Sequence, residues 1–257
     1  MAILKDFYQD KMRVRFFDTR SSMGDVAGTE VAIKIKELLS CKETINVMFA
    51  AAPSQNETLA TLIKDPDIDW TRVNAFHMDE YIGLDDSHPA GFRNFLKKAI
   101  FELKPFKSVN YLNGNAPDAQ KEAQRYGQLL KDNPLDICIL GVGENGHIAF
   151  NEPSVADFND PVKVKVVELE PRCRQQQVND GCFKTIDEVP THALSVTIPA
   201  LCEAKWMFCS VPAKTKAEAI MHMLRDPIST NCPATILRKQ EHALLYTDKD
   251  AASLMLC

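Results

Sequence analysis

A histidine and a carboxylate, His147 and Glu152, follow a glycine-rich break in Leu140-Gly141-Val142-Gly143-Glu144-Asn145-Gly146-His147-Ile148-Ala149-Phe150-Asn151-Glu152-Pro153. Imidazole titrates near neutral pH, and a neighbouring carboxylate can orient it and stabilise its charged form, so the pair suits acid/base work. Leu135 to Leu140 is an apolar run of strand length that stops at glycines, where backbone can turn sharply or approach a ligand closely. Polar residues placed there fall in the usual ligand crevice of an open α/β sheet. A turn with a satisfied histidine is the structural alternative, so further clusters have to decide.

Such clusters are present. After the strand-like Val73 to Phe76 comes His77-Met78-Asp79-Glu80-Tyr81, which offers a candidate base; the competing reading has Asp79 capping a turn and Glu80 paired with a surface cation. After Ile45 to Ala51 comes Ala52-Pro53-Ser54-Gln55-Asn56-Glu57, in which Ser54 and Glu57 match a capping box and the helix start would attract an anion. Glu57 would itself add negative charge there. After Trp206 to Val211, Lys214 and Lys216 stand at another helix start, to reach an anion or to be solvated. Polar groups converging on several strand ends mark a site rather than a generic α/β domain.

The elements that must position these groups alternate along the chain. Val31, Ile35, Leu38 and Leu39 mark a helix face with Asp25 as its cap, Phe92 to Phe101 reads as helix, and Pro117-Asp118 opens a helix carrying Ala119, Ala123, Tyr126 and Leu130. Ala193 to Ile198 reads as a further strand, a helix spans about Lys214 to Leu224, and a short α/β tail follows. The segment Ser154 to Glu188 is polar and irregular and has the character of a lid. Helix and strand in alternation predict an α/β protein with a mostly parallel central sheet.

With 257 residues and 45% hydrophobic content the chain can bury a full core, and one domain over 1–257 is expected. A net charge of −5 without a basic face argues against nucleic acid or an anionic membrane as the main partner. The eight cysteines are scattered without a C-x-x-C pair, Met1 to Lys11 lacks a signal-peptide core, and no apolar stretch reaches span length. A cytoplasmic protein acting on a small molecule is the expectation. His88, His192, His222 and His242 show no ligand-like spacing, and no metal site is expected.

Phe76-His77-Met78-Asp79-Glu80-Tyr81-Ile82-Gly83-Leu84, Asn113-Gly114-Asn115-Ala116 and Gly143-Glu144-Asn145-Gly146-His147-Ile148-Ala149-Phe150-Asn151-Glu152-Pro153 together resemble the glucosamine-6-phosphate deaminase/isomerase family. The likeness runs over most of the chain. Related 6-phosphogluconolactonases share the fold, an Asp-Glu pair and a Gly-His element, but Tyr81 and the Phe150-Asn151-Glu152-Pro153 tail favour the deaminase branch. The resemblance implies a three-layer, modified Rossmann-like fold. It implies isomerisation and deamination of a 2-amino-2-deoxyhexose 6-phosphate to a ketose 6-phosphate and ammonia, without a cofactor. Asp79 would carry the proton between C2 and C1, and His147 would assist ring opening with Glu152 orienting and charging it. Asn145 stands where some members have aspartate.

In the phosphate site the chain departs from the family. Ser54-Gln55-Asn56-Glu57 replaces a Thr-Gly-Gly-Thr-like loop, removing both glycines and adding a carboxylate. The family's lid arginine aligns near Gln177, with Arg172 and Arg174 as neighbouring substitutes, while Lys216 matches the phosphate lysine. Gly143, Ser54, Gln55 and Asn56 complete the substrate-binding set. The substrate implied is glucosamine or galactosamine 6-phosphate, and these departures point to a sugar phosphate whose stereochemistry or phosphate placement differs from glucosamine 6-phosphate, with galactosamine 6-phosphate as a candidate. A lactone hydrolase and a non-catalytic sugar-phosphate sensor are the alternatives. The sensor is disfavoured because no basic helix-turn-helix precedes the first helix and because a sensor has no use for Asp79. No feature reports an interface, and a homo-oligomer stays open.

Overall fold

The computed structural model describes residues 2–256; Met1 and Cys257 lie outside them. In chain order the elements are β1 (Ile3–Gln9), β2 (Met12–Phe17), α1 (Arg20–Cys41), β3 (Ile45–Phe49), α2 (Asn56–Leu62), β4 (Val73–His77), β5 (Asp79–Tyr81), α3 (Phe92–Leu96) and β6 (Ser108–Asn110). They continue with α4 (Ala119–Asp132), β7 (Ile137–Leu140), β8 (Val164–Glu168), α5 (Pro171–Asn179), β9 (His192–Val196), α6 (Ile198–Cys202), β10 (Trp206–Val211), α7 (Ala217–Arg225) and β11 (Ala243–Asp248).

The main sheet has eight strands in the order β1-β2-β11-β10-β7-β3-β4-β6. Only the β1–β2 pairing is antiparallel. Its central strands are apolar on both faces because helices cover both. In β3, Met48 enters one core while Ile45, Val47 and Phe49 enter the other; in β7, Cys138 and Leu140 oppose Ile137 and Ile139. One core takes residues of α4, α6 and α7, the other takes residues of α1, α2 and α3, which gives the three layers expected of this α/β fold. A small antiparallel sheet, β5-β9-β8, lies beyond the end of β4.

Several expectations are corrected by this architecture. Helix α1 begins at Arg20, capped by the Thr19 side chain accepting from the Ser22 N–H, rather than at Asp25. Asp25 lies inside the helix and accepts from the Thr61 hydroxyl at 3.0 Å, tying α1 to α2. Two glycines make this approach close: a Cβ on Gly24 would lie 2.1 Å from Glu57 Cβ, and one on Gly28 would lie 2.5 Å from the Thr58 carbonyl. The capping box does not form. Pro53–Gln55 make a 3₁₀ turn, α2 starts at Asn56 with no side-chain cap, and Glu57 lies 2.8 Å from Arg20 Nε. Residues 154–188 are less irregular than their composition, for they contain β8 and α5. β5, β6 and α6 have too few residues to be read in advance, whereas β2 of the β1–β2 hairpin carries a readable alternation, Met12-Arg13-Val14-Arg15-Phe16, with the apolar residues in one core.

Candidate functional site

Strand order reverses between β3 and β7, since the chain runs from β3 outward through β4 and β6 and then returns to build the other half. Crevices at such switch points take ligands. Here the loops after β3, β4, β7 and β10 line one cavity, contributing Ser54 and Gln55, Met78 and Asp79, Gly141 to Gly143, and Ala213, Thr215 and Lys216. Glycine is needed twice on the β7 loop: a Cβ on Gly141 would meet Gln55 Nε2 at 2.9 Å, and one on Gly143 would lie 2.0 Å from His147 Cε1.

His147 is held from several directions. Gly143 N–H donates to its carbonyl (2.9 Å), its own N–H donates to Asn145 Oδ1 (3.2 Å), and Nδ1 lies 2.6 Å from that same oxygen. The Asn145 amide points its Nδ2 at Glu152 Oε2, 3.3 Å away, so Oδ1 is the acceptor and Nδ1 must carry the imidazole proton. Nε2 then keeps a lone pair, and the ring lines the cavity. Burial, with Lys216 nearby, pushes the imidazole down to about 3, so it is neutral. Glu152 therefore acts on His147 through Asn145, not by the direct contact expected. Glu152 is fully buried and also accepts from the Glu170 N–H at 3.0 Å; burial raises it to about 7.

Asp79 and Glu80 are neighbours on the three-residue strand β5, where successive side chains point to opposite sides. Glu80 turns away from the cavity and accepts from the N–H groups of Tyr81 (3.0 Å), Phe92 (3.1 Å) and Arg93 (2.9 Å), which caps α3. Asp79 turns into the cavity, and its carboxylate has no hydrogen-bond partner among the described residues. Burial, followed by the Glu80 charge, raises Asp79 well above the usual carboxylate range. Neither half of the turn-cap reading holds. The Asn113-Gly114 motif serves this strand: a Cβ on Gly114 would lie 1.8 Å from the Tyr81 carbonyl.

His77 is not in the cavity lining. It accepts from the Leu112 N–H at Nε2 (2.9 Å), which puts the proton on Nδ1 facing the Asp79 carbonyl (3.0 Å), and burial lowers it to about 4. It is a neutral brace behind Asp79. Lys216 is buried and lines the cavity, and its Nζ has no hydrogen-bond partner among the described residues; burial lowers it, while Asp180 and Glu144 oppose the shift.

The remaining predicted residues divide. Ser54, Gln55 and Gly143 line the cavity, while Asn145 and Glu152 stand behind His147. Asn56 is exposed at the start of α2 and outside the lining. Arg172 is also outside it, with Nη2 donating to the Glu144 carbonyl at 3.3 Å and 3.7 Å from Glu218. Arg174 is committed to the Val189 and Ile186 carbonyls. From α5 and its end it is Gln176, Gln177 and Asp180 that line the cavity. The sequence reading missed Asp180 and Arg20. A cap at Asp25 sets the helix start six residues late and hides Arg20, although Thr19 ahead of it is a recognisable cap.

His147, Glu152 and Cys173 bring a nitrogen, an oxygen and a sulfur within 4.8 Å of one another, a donor set of metal-ligating types that irregular spacing concealed. Two of these contacts are already used, by the His147–Asn145 bond and by a Cys173–Glu152 hydrogen bond. The seven described cysteines are all free thiols. No helix among the described residues is long and apolar enough to cross a membrane.

An unpartnered carboxylate and a neutral histidine share one cavity at the switch point of a doubly wound α/β sheet, where enzymes of this architecture hold their substrates. The chain belongs to the glucosamine-6-phosphate isomerase/6-phosphogluconolactonase family, whose model matches residues 18–246. It is 34% identical over 230 residues to a glucosamine-6-phosphate deaminase of Listeria welshimeri, covering 90% of this chain and 96% of that one. It is 35% identical over 220 residues to the enzyme of that name from Bacillus cereus, covering 86% and 82%. A solved monomeric glucosamine-6-phosphate deaminase superposes with a TM-score of 0.84 at 30% identity, over 94% of this chain and 99% of that one. A 6-phosphogluconolactonase of Thermotoga maritima shares the fold at a TM-score of 0.74 and 19% identity, over 92% and 99%.

Proposed function

We propose that this chain is a hexosamine-6-phosphate deaminase that converts a 2-amino-2-deoxyhexose 6-phosphate and water to a ketohexose 6-phosphate and ammonia. The observation that carries this reading is the pairing, in one cavity, of the unpartnered Asp79 carboxylate with a neutral His147 whose Nδ1 is occupied. His147 Nε2 takes the proton of the anomeric hydroxyl and returns it to the ring oxygen as the C1–O5 bond breaks. Asp79 removes the C2 proton and delivers it to C1 while a proton passes from the amino nitrogen to O1, leaving a hydroxymethyl at C1 and an imine at C2. Water adds to that imine and ammonia leaves, so only water is consumed. A raised carboxylate is suited to this shuttle, because its basicity is closer to that needed to hold a carbon-derived proton.

The Lys216 ammonium, buried without an internal acceptor, supports recognition of the phosphate. Free thiols throughout the described chain support a reducing, cytoplasmic setting. Ammonia release should be assayed on gluco and galacto 2-amino-2-deoxyhexoses, each with and without the 6-phosphate, for the wild type and Asp79→Asn. Release confined to a phosphorylated amino sugar, and lowered about 1,000-fold or more in the variant, is expected from loss of the shuttle. A lactone hydrolase needs only a histidine-activated water, so lactonase activity that survives Asp79→Asn, with no ammonia from any sugar, would overturn the proposal.

A further inference from the structure

Among the side chains lining the cavity, two are basic: Lys216, whose ammonium burial disfavours, and Arg20 from the first turn of α1, whose guanidinium stays charged. Arg20 is fixed in place. Its Nη2 donates to the Pro53 carbonyl, and its Nε stands 2.8 Å from Glu57 Oε1. Glu57 is in turn set by the contact of α2 with Gly24, where even one added carbon would collide with the Glu57 side chain. Glycine at 24, glutamate at 57 and arginine at 20 thus form one assembly that delivers a guanidinium to the loop carrying Ser54 and Gln55.

A guanidinium has five N–H donors in a planar fork, and these two contacts leave Nη1 without a partner among the described residues. The pair is also only partly buried, with 37% of the Arg20 side chain exposed, and Arg20 is among the residues lining the cavity. Glu57, which on sequence grounds works against an anion in this loop, is neutralised by Arg20 and acts as its anchor.

We propose that Arg20 is a phosphate-binding residue of this cavity, donating from Nη1 to the phosphate of the bound sugar while Lys216 Nζ contributes a second positive charge, with Glu57 as the positioning residue. This rests on the reading that the cavity holds a sugar phosphate, and the experiment separates the two. Binding of inorganic phosphate, glucose 6-phosphate and glucose to wild type, Arg20→Met, Arg20→Lys and Glu57→Gln should be measured by calorimetry, alongside kcat and KM for the amino sugar 6-phosphate.

Loss of one charge-assisted contact is expected to weaken both phosphate ligands about 10- to 100-fold in Arg20→Met. KM should rise by a similar factor while kcat changes little, Arg20→Lys should recover part of the loss, and Glu57→Gln, which keeps only a neutral oxygen to hold Arg20, should raise KM less than Arg20→Met does. Loss of phosphate affinity in Arg20→Met would uphold the Arg20 assignment even if no amino sugar were deaminated, which would refute the proposed reaction alone. Unchanged phosphate affinity in a folded Arg20→Met protein, or absence of phosphate binding by the wild type, would overturn the inference. So would equal losses of thermal stability in Arg20→Met and Glu57→Gln without a change in KM, the signature of a merely structural pair.

Discussion

Replacing Gly143 by alanine tests whether the position of the His147 ring, and not just its presence, underlies turnover. The added Cβ would stand 2.0 Å from Cε1 and 2.3 Å from each ring nitrogen. Carbon atoms settle about 3.5 Å apart, so the ring must recede by about 1.5 Å. The Nδ1 to Asn145 Oδ1 bond, now 2.6 Å, would then open to about 4 Å and cease to fix the tautomer. A misplacement of about 1 Å in a catalytic group can cost about 100-fold, and overpacking a tight site costs about 1–3 kcal/mol of stability. Gly143→Ala is therefore expected to lower kcat about 100-fold in a coupled ammonia assay, with KM within a few-fold and a folded, modestly destabilised protein. Gly141→Ala is the matched control, since its Cβ meets the movable Gln55 amide and should act mainly on KM. A Gly143→Ala enzyme with kcat within threefold of wild type would refute the account of His147.

Acid should inactivate through Asp79, which must be ionised to take the C2 proton and whose carboxyl is raised by burial. The acid limb of kcat/KM is expected above the 3.8 of an ordinary aspartate, with no further contribution from His147, already neutral above about 3; a limb at or below that ordinary value would sink this assignment. Glu152 is raised from an ordinary 4.5 to about 7, so its contribution to stability is complete below pH 4.5 and is lost as pH rises through 7. At 1.36 kcal/mol per pH unit that amounts to about 3 kcal/mol at most. Urea unfolding of Glu152→Gln should therefore show a flatter stability profile from pH 5 to 8 and a gain at pH 8, and a loss there instead would show that the charged form is the one the fold prefers.

What the sequence discloses follows from the range over which each signal acts. The central strands and α4 are legible because period and capping are local: Asp118 accepts from the N–H groups of Gln120 and Lys121, as its place before Ala119 implies. Asp79, His147, Ser54, Gln55 and Lys216 are legible as polar residues at strand ends, and the sheet brings all five to one cavity. Illegible features depend on contacts distant in sequence. Arg20 reaches the cavity because two glycines of α1 let α2 approach, and Arg172 and Arg174 leave it because α5 is rotated to present Gln176, Gln177 and Asp180. The β5 strand has three residues, too few for a period, and exists because Gly114 and β9 flank it.

Three buried acids around this site differ less in ionisation than in hydrogen bonding. Asp79, Glu80 and Glu152 are each raised by burial, so a shifted pKa alone would nominate all three as the base. Glu80 accepts from three backbone N–H groups, and protonating it would weaken the capping of α3. Glu152 accepts from the Glu170 N–H and the Asn145 amide, and protonating it would loosen the hold on His147. Asp79 has no such bonds to lose, so it can gain and release a proton with the least disturbance of its surroundings. An acidic pair adjacent on a strand thereby divides into one carboxylate bonded into the fold and one left open to the cavity. Adjacency makes this division automatic, because the strand's two-residue period aims neighbours at opposite sides.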